Sequence, residues 1–416
     1  MAAFDPRRAL VQAERHARPP LPVRPPALCE HLVFRSQEED VASERRACLD
    51  ICEALSLAPD GELTDQIRAT GDGITLKWER HTEFSSYTIL SVGSAPEAAL
   101  PAWSRRDLPW PSVPGQLLLA QLVAVEPEDD PVWSRTPKMS WQPEGPLCAS
   151  LVMSGTTRVA SDLVPDAEGH LRFLVTTRSE EPARIGRLVQ RLIEIETYGS
   201  LCLYAWRDVK EIGPRIGQAE AALGALVQRL TRLSGEPDEA ILRDLTELAS
   251  SHEELTARSH FRLNASLAYH EIVVRRLNEL REERIEGRQR LANFIQRRMN
   301  PAARTYRSIL VRQAELAERI ARATQLLRGR IEVAIGRQNQ DLLASMNSRA
   351  EAQYRLQKTV EGLSVVAISY YALGIIAYAA APVAGQVDGL TVKEVVGFAV
   401  PVVLLAVWLS VRRLRE

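Results

Sequence analysis

Two apolar runs dominate the C-terminal end of the chain. Glu361 and Asp388 bracket the uncharged stretch GLSVVAISYYALGIIAYAAAPVAGQV, and Glu394 and Arg412 bracket VVGFAVPVVLLAVWLSV. The first is long enough to cross a bilayer as a helix. The second, at roughly 25 Å by helical rise, is at the short end but sufficient. The pattern predicts a hairpin: one transmembrane helix over 362–384, an external loop over 385–394, a second helix over 395–411 and a basic tail over 412–416.

Upstream, the period of the pattern changes twice. Residues 1–26 form an arm rich in proline (Pro19, Pro20, Pro22, Pro25, Pro26), which must be extended there because proline cannot sit inside a helix. The arm is expected to lie along its own domain; docking on a partner is the alternative. Residues 27–178 read as a mixed α/β domain. EHLVFR (30–35) suits a strand, and 36–57 has helical spacing with Ser36 as its N-cap. Alternation over 74–93, 117–126, 147–154, 157–164 and 171–178 brings the set to five or six strands. The stretch from Pro101 to Pro114, with Trp103 and Trp110, reads as irregular surface structure. About 150 residues are enough to bury a core.

From 181 to 358 the pattern is helical and predicts long antiparallel helices forming a stalk. Breaks are expected at Gly213-Pro214, at the loop from Ser234 to Pro237 and near His260. Pro301 suits the first turn of a last helix running without a further proline to Ala381, roughly 120 Å of helix. Its apolar positions are sparse: Ile309, Leu316, Ile320, Leu327, Ile331 and Ile335, then Leu342 and Met346. Steps of three, four and seven make them a seam for partner helices and predict self-association around an axis. The fold class is therefore α+β: a cytoplasmic α/β domain, a helical stalk and a two-helix membrane hairpin.

Charge orients the hairpin. Arg349, Arg355 and Lys358 precede the first span, Arg412, Arg413 and Arg415 follow the second, and the loop between carries Asp388, Lys393 and Glu394. Basic residues remain on the cytoplasmic side, so both termini are expected there and the loop outside. The first residues lack the apolar core of a signal peptide. The five cysteines (Cys29, Cys48, Cys52, Cys148, Cys202) contain no C-x-x-C pair and suit buried thiols in a reducing compartment.

Charge is also divided along the helical region. Residues 236–254 hold seven acids, Glu236, Asp238, Glu239, Asp244, Glu247, Glu253 and Glu254, against Arg243. Residues 284–337 hold 13 arginines against four glutamates. Two solvated or mutually facing charged faces are one reading; an acidic cluster sensing divalent cations is the other. The basic stretch lacks interleaved aromatics and the net charge is −1, so no nucleic-acid partner is expected. No phosphate loop, nucleophile elbow or zinc helix is present: His270-Glu271-Ile272-Val273-Val274 lacks a second histidine. His252, His260 and His270, spaced by eight and ten, read as surface residues. Cys48 and Cys52 share a helix face and read as core thiols. No enzyme activity and no cofactor are expected; a divalent cation is the one small ligand the pattern admits.

The order of these parts resembles the CorA-type magnesium transporter superfamily. The junction RQNQDLLASMNSRAEAQYRLQKTVEGLSVVAISYYALGIIAYAAAP carries that resemblance, with a polar, Asn-bearing helix passing into a span that ends near a proline. More narrowly, ERHARPP, LVQRLIEIETYGSLCLYAW and QKTVEGLSVVAISYY resemble a family of uncharacterised bacterial inner-membrane proteins of this length, over nearly the whole chain. The resemblance implies a multi-pass protein of the bacterial inner membrane, a homo-oligomer, and a pentamer by the broader likeness. The Gly-Met-Asn tripeptide of CorA-type proteins is missing: the corresponding end of the first span reads Ala381-Pro382-Val383-Ala384-Gly385-Gln386. A seven-residue seam along the first span, Gln357, Glu361, Ser364, Ile368, Tyr371, Ile375 and Tyr378, is the candidate pore lining, with Glu361 as its carboxylate. Expected function is thus an ion channel or transporter without the usual selectivity motif; the alternative is a non-transporting membrane scaffold.

Overall fold

A computed structural model of the protein describes residues 5, 7–8, 19–36, 40–60, 65–93, 108–128, 142–232, 238–384 and 391–413. The chain divides into two compact units, Met1–Ala321 and Arg322–Glu416.

The first unit is built on a sheet of ten strands among the described residues. In chain order these are β1 (Ala27–Arg35), β2 (Ala58–Pro59), β3 (Gln66–Gly71), β4 (Ile74–Arg80) and β5 (Phe84–Val92), followed by β6 (Gln116–Pro127), β7 (Cys148–Val152), β8 (Thr157–Ser161), β9 (His170–Thr177) and β10 (Glu283–Arg284). They lie in the order β10-β7-β8-β9-β6-β1-β5-β4-β3-β2. Every pairing is antiparallel except β6 with β9, which run parallel. The expected strands are present; β2, β3 and β10 are additional. Two of these are only two residues long, too short for alternation to register.

Strand alternation sorts the side chains into two cores. On one face, Leu32 of β1, Trp78 of β4 and Tyr87 of β5 pack under helix α1 (Val41–Ala54), which contributes Ala47, Cys48, Ile51 and Cys52. Leu108, Trp110 and Val113 belong to this core, with Trp110 stacked 6.3 Å from Phe34, while Pro111 and Ser112 between them are on the surface as expected. Trp103 lies outside the described residues. Helix α1 starts at Val41 with Asp40 before it, and Ser36 is not its cap. The Ser36 hydroxyl instead accepts from Arg80 at 2.8 Å, and Arg80 pairs with the fully buried Glu44 at 3.4 Å. A buried guanidinium needs acceptors, and that need outweighs a cap.

The other face is covered by α2 (Pro182–Tyr204), followed by α3 (Trp206–Thr231), α4 (Asp238–Leu280) and α5 (Leu291–Ala384). Val33, Phe84, Leu119 and Leu201 form its core, with Tyr198 and Tyr269 stacked 5.6 Å apart beside it. The expected loop from Ser234 to Pro237 lies outside the described residues, between the end of α3 at Thr231 and the start of α4 at Asp238, but the breaks expected at Gly213-Pro214 and near His260 are absent. Helices α2 and α3 meet at buried Ala205, α3 passes through Pro214, and α4 passes through His260. Helix α5 begins at Leu291, so Pro301 sits in its interior. An interior proline costs about 3 kcal/mol, and burial of Leu291, Met299, Ala303 and Tyr306 around it offsets that.

Of the three α4 histidines, His260 is on the surface as expected, whereas His252 and His270 are not. His252 is buried and bonds the Gln313 carbonyl of α5 at 2.9 Å; His270 is buried and meets the Asn300 side chain at 2.9 Å. Between α4 and α5 the chain returns to the sheet, where Glu283 pairs with Leu151 and Ala149 N–H donates to the Gln289 carbonyl at 3.0 Å.

The second unit holds the rest of α5 and helix α6 (Val392–Arg413). Its described large apolar side chains from Val333 onward are mostly exposed: Leu363 by 73%, Tyr378 by 86% and Phe398 by 82%. Two stretches, one near the C-terminal end of α5 and one in α6, are each long and apolar enough to cross a membrane.

Candidate functional site

In the second unit, α5 carries every residue of the expected seam. Gln357, Glu361, Ser364, Ile368, Tyr371, Ile375 and Tyr378 fall within about 100° of arc at 100° per residue. All are exposed or half-buried in the single chain. The Ser364 hydroxyl donates to the Val360 carbonyl at 2.9 Å, so its proton is used within the helix and only its lone pairs face outward. Arg355 and Lys358 are exposed within two turns before Glu361. Arg412 and Arg413 close α6, and Arg415 lies outside the described residues.

The acidic cluster sits at the start of α4, except Glu236, which lies outside the described residues. Asp238 and Glu239 occupy the first turn, where carboxylates complement the helix dipole. Asp244 pairs with Arg229 of α3 at 2.6 Å. A second cross-helix pair joins Arg312 of α5 to Glu220 of α3 at 2.7 Å. These contacts tie helices together. Among the described residues, no group of three or more His, Cys, Asp or Glu side chains is arranged to hold a metal ion. Cys48 and Cys52 are buried, and the hydrogen bond with Cys52, then burial, raises the Cys48 thiol far above its ordinary value.

The first unit contains a site that the sequence pattern did not reveal. A cavity of about 150 Å³ is lined by α2 and by the β1–β5–β4 face of the sheet. Alternation brings Cys29 and His31 of β1, Ser86 and Thr88 of β5, and Lys77 and Glu79 of β4 to this face. The arm from Pro19 to Val23 runs over it as a strap. Val23 N–H donates to the Pro182 carbonyl at 3.0 Å, and the Lys77 ammonium donates to the Pro19 carbonyl at 3.1 Å. Gly186 makes the crossing possible: a Cβ there would lie 1.9 Å from the Leu21 carbonyl oxygen.

His31 forms the cavity floor. Its Nδ1 meets the Thr88 hydroxyl at 2.9 Å and its Nε2 meets the Thr197 hydroxyl of α2 at 3.2 Å. Burial, then the fields of His81 and Lys77, push its pKa down to about 3, so the ring is neutral and uses one nitrogen as donor and the other as acceptor. Lys77 pairs with Glu79 at 2.9 Å. The Glu194 carboxylate, also on the wall, is held by Arg276 of α4 and accepts from Gln190 at 2.8 Å. On α2, half-buried Glu196 has its carboxyl raised to about 7 by burial. The one sequence signal for this site was the pair Glu30-His31 placed in a largely apolar strand, CEHLVFR.

A search of curated proteins and a search of solved structures each gave no match. The narrower of the two resemblances, to a family of uncharacterised proteins spanning the chain, is the one a family comparison supports. One family model, described as "Protein of unknown function (DUF3422)", matches residues 4–416, and the chain belongs to that family.

Proposed function

We propose that the protein is an oligomeric membrane protein of CorA-like design. Its α5–α6 hairpin spans the bacterial inner membrane, both termini lie in the cytoplasm, and the seam from Gln357 to Tyr378 surrounds a cation path. One observation carries the proposal. A single helix, Leu291–Ala384, holds an arginine-rich stretch, a boundary carboxylate at Glu361 and an apolar stretch whose large side chains are exposed among the described residues. In water such surface is unfavourable; lipid and neighbouring copies remove it. Around an axis, Glu361 forms a ring of carboxylates that attracts cations and Ser364 offers lone pairs to them.

The second reading, a non-transporting scaffold, is favoured by Ile368, Tyr371, Ile375 and Tyr378 on that same face, because bulky apolar groups narrow a water path. Cation flux into proteoliposomes separates the two. Wild-type flux reduced by Glu361→Gln supports the channel. Equal flux in both proteins removes Glu361 from the mechanism, and no flux in either leaves the scaffold.

A further inference from the structure

The cavity beneath the strap has the features of a ligand site, independent of the hairpin's role in the membrane. It offers the room of about five waters at ~30 Å³ each, which limits a ligand to a small one. Its charges come as balanced pairs. Lys77 faces Glu79, and Glu194 is already neutralised by Arg276. A ligand with net charge would be desolvated here without compensation, whereas a dipolar one meets both signs.

The donors are placed for such a ligand. An ammonium has three N–H groups. Lys77 uses one toward Glu79 and one toward the Pro19 carbonyl. The Ser86 hydroxyl lines the cavity from a buried residue and has no side-chain hydrogen bond among the described residues. Leu90, Val189 and Ile193, with Leu21 and Val23 of the strap, supply the cavity's apolar lining. We propose that this cavity binds a small zwitterion with a short apolar side group, the chemistry of an aliphatic α-amino acid. Its carboxylate takes Lys77 and Ser86, its ammonium takes Glu79, and its side group lies against Leu90 and Ile193. The neutral state of His31 keeps a second positive charge out of the floor. The third N–H of Lys77 is the one left for the carboxylate, so the ligand binds with the Pro19 tie of the strap intact.

Calorimetric titration of the purified full chain in detergent tests this, with L-leucine, 4-methylpentanoate and isopentylamine as probes. Saturable leucine binding is expected, with each half-ligand weaker by about tenfold, the loss of one charge-assisted contact. Lys77→Met weakens leucine by a similar factor. Gln190→Trp, at a half-buried α2 residue lining the cavity, fills it and abolishes binding, whereas Gln190→Ala, which loses the same hydrogen bond to Glu194 without filling the space, still binds leucine. No saturable leucine binding up to about 10 mM overturns the proposal, as does binding that survives Gln190→Trp. Carboxylate binding as tight as leucine overturns the zwitterion assignment.

Discussion

The two units treat their apolar residues in opposite ways. In Met1–Ala321, alternation on the strands and stripes on the helices put Trp78, Tyr87, Leu192 and Tyr306 wholly inside. In Arg322–Glu416, Leu363, Tyr371, Tyr378 and Phe398 are all exposed although the local sequence is the most apolar in the chain. The hydrophobic effect acts equally on both. The first unit satisfies it within one chain, and the second does not. Among the described residues these side chains are left exposed, and a helix apolar all round is the pattern that lipid covers, which is what the proposed membrane hairpin rests on.

The largest effect that tests this contrast compares two aromatic truncations. Trp78→Ala is expected to lower stability by about 3–5 kcal/mol, read as a large drop in the detergent-solubilised melting temperature. Phe398→Ala, at an exposed site, is expected to shift that melting temperature hardly at all. Equal shifts would erase the distinction between the units.

Acid sharpens it next. His31 titrates near 6.5 in the unfolded chain and near 3 when folded, so the folded state binds fewer protons between those values. Its contribution is fully present above about pH 6.5 and is lost as pH falls toward 3, by about 2 kcal/mol at pH 5. Denaturant unfolding at pH 7 and pH 5 should show a steeper loss in the wild type than in His31→Gln. The same pH change should not affect hairpin insertion.

The smallest effect comes from Glu196. Its folded carboxyl titrates near 7 against an ordinary 4.5, so it favours the folded state below pH 4.5 and loses that contribution as pH rises through 7. Glu196→Gln is therefore expected to raise stability at pH 8 by about 1 kcal/mol, after discounting for partial exposure, and to be neutral at pH 4.

The sequence made the regular elements legible because their periods are long. The strands at 74–93, 117–126 and 171–178 and the apolar hairpin stretches each repeat over two turns or more. It hid features that depend on distant partners. Pro301 and Pro214 read as helix boundaries, since a local rule cannot include the burial of Tyr306 or Ile216 that keeps those helices intact. His252 and His270 read as surface residues because Gln313 and Asn300 lie 61 and 30 positions away. The His31 cavity was invisible for the same reason: Thr197, 166 positions on, completes it. The seam on α5 was legible because it lies on one helix, and spacing alone defines it.

The most direct measurement of the central claim is accessibility of single added cysteines in intact cells, with the five native cysteines buried and silent. Asp388→Cys should react with a membrane-impermeant maleimide added outside, and Ala352→Cys only after the membrane is opened. Reaction of neither before lysis, together with recovery of the protein in the detergent-free soluble fraction, would contradict a hairpin that spans the bilayer.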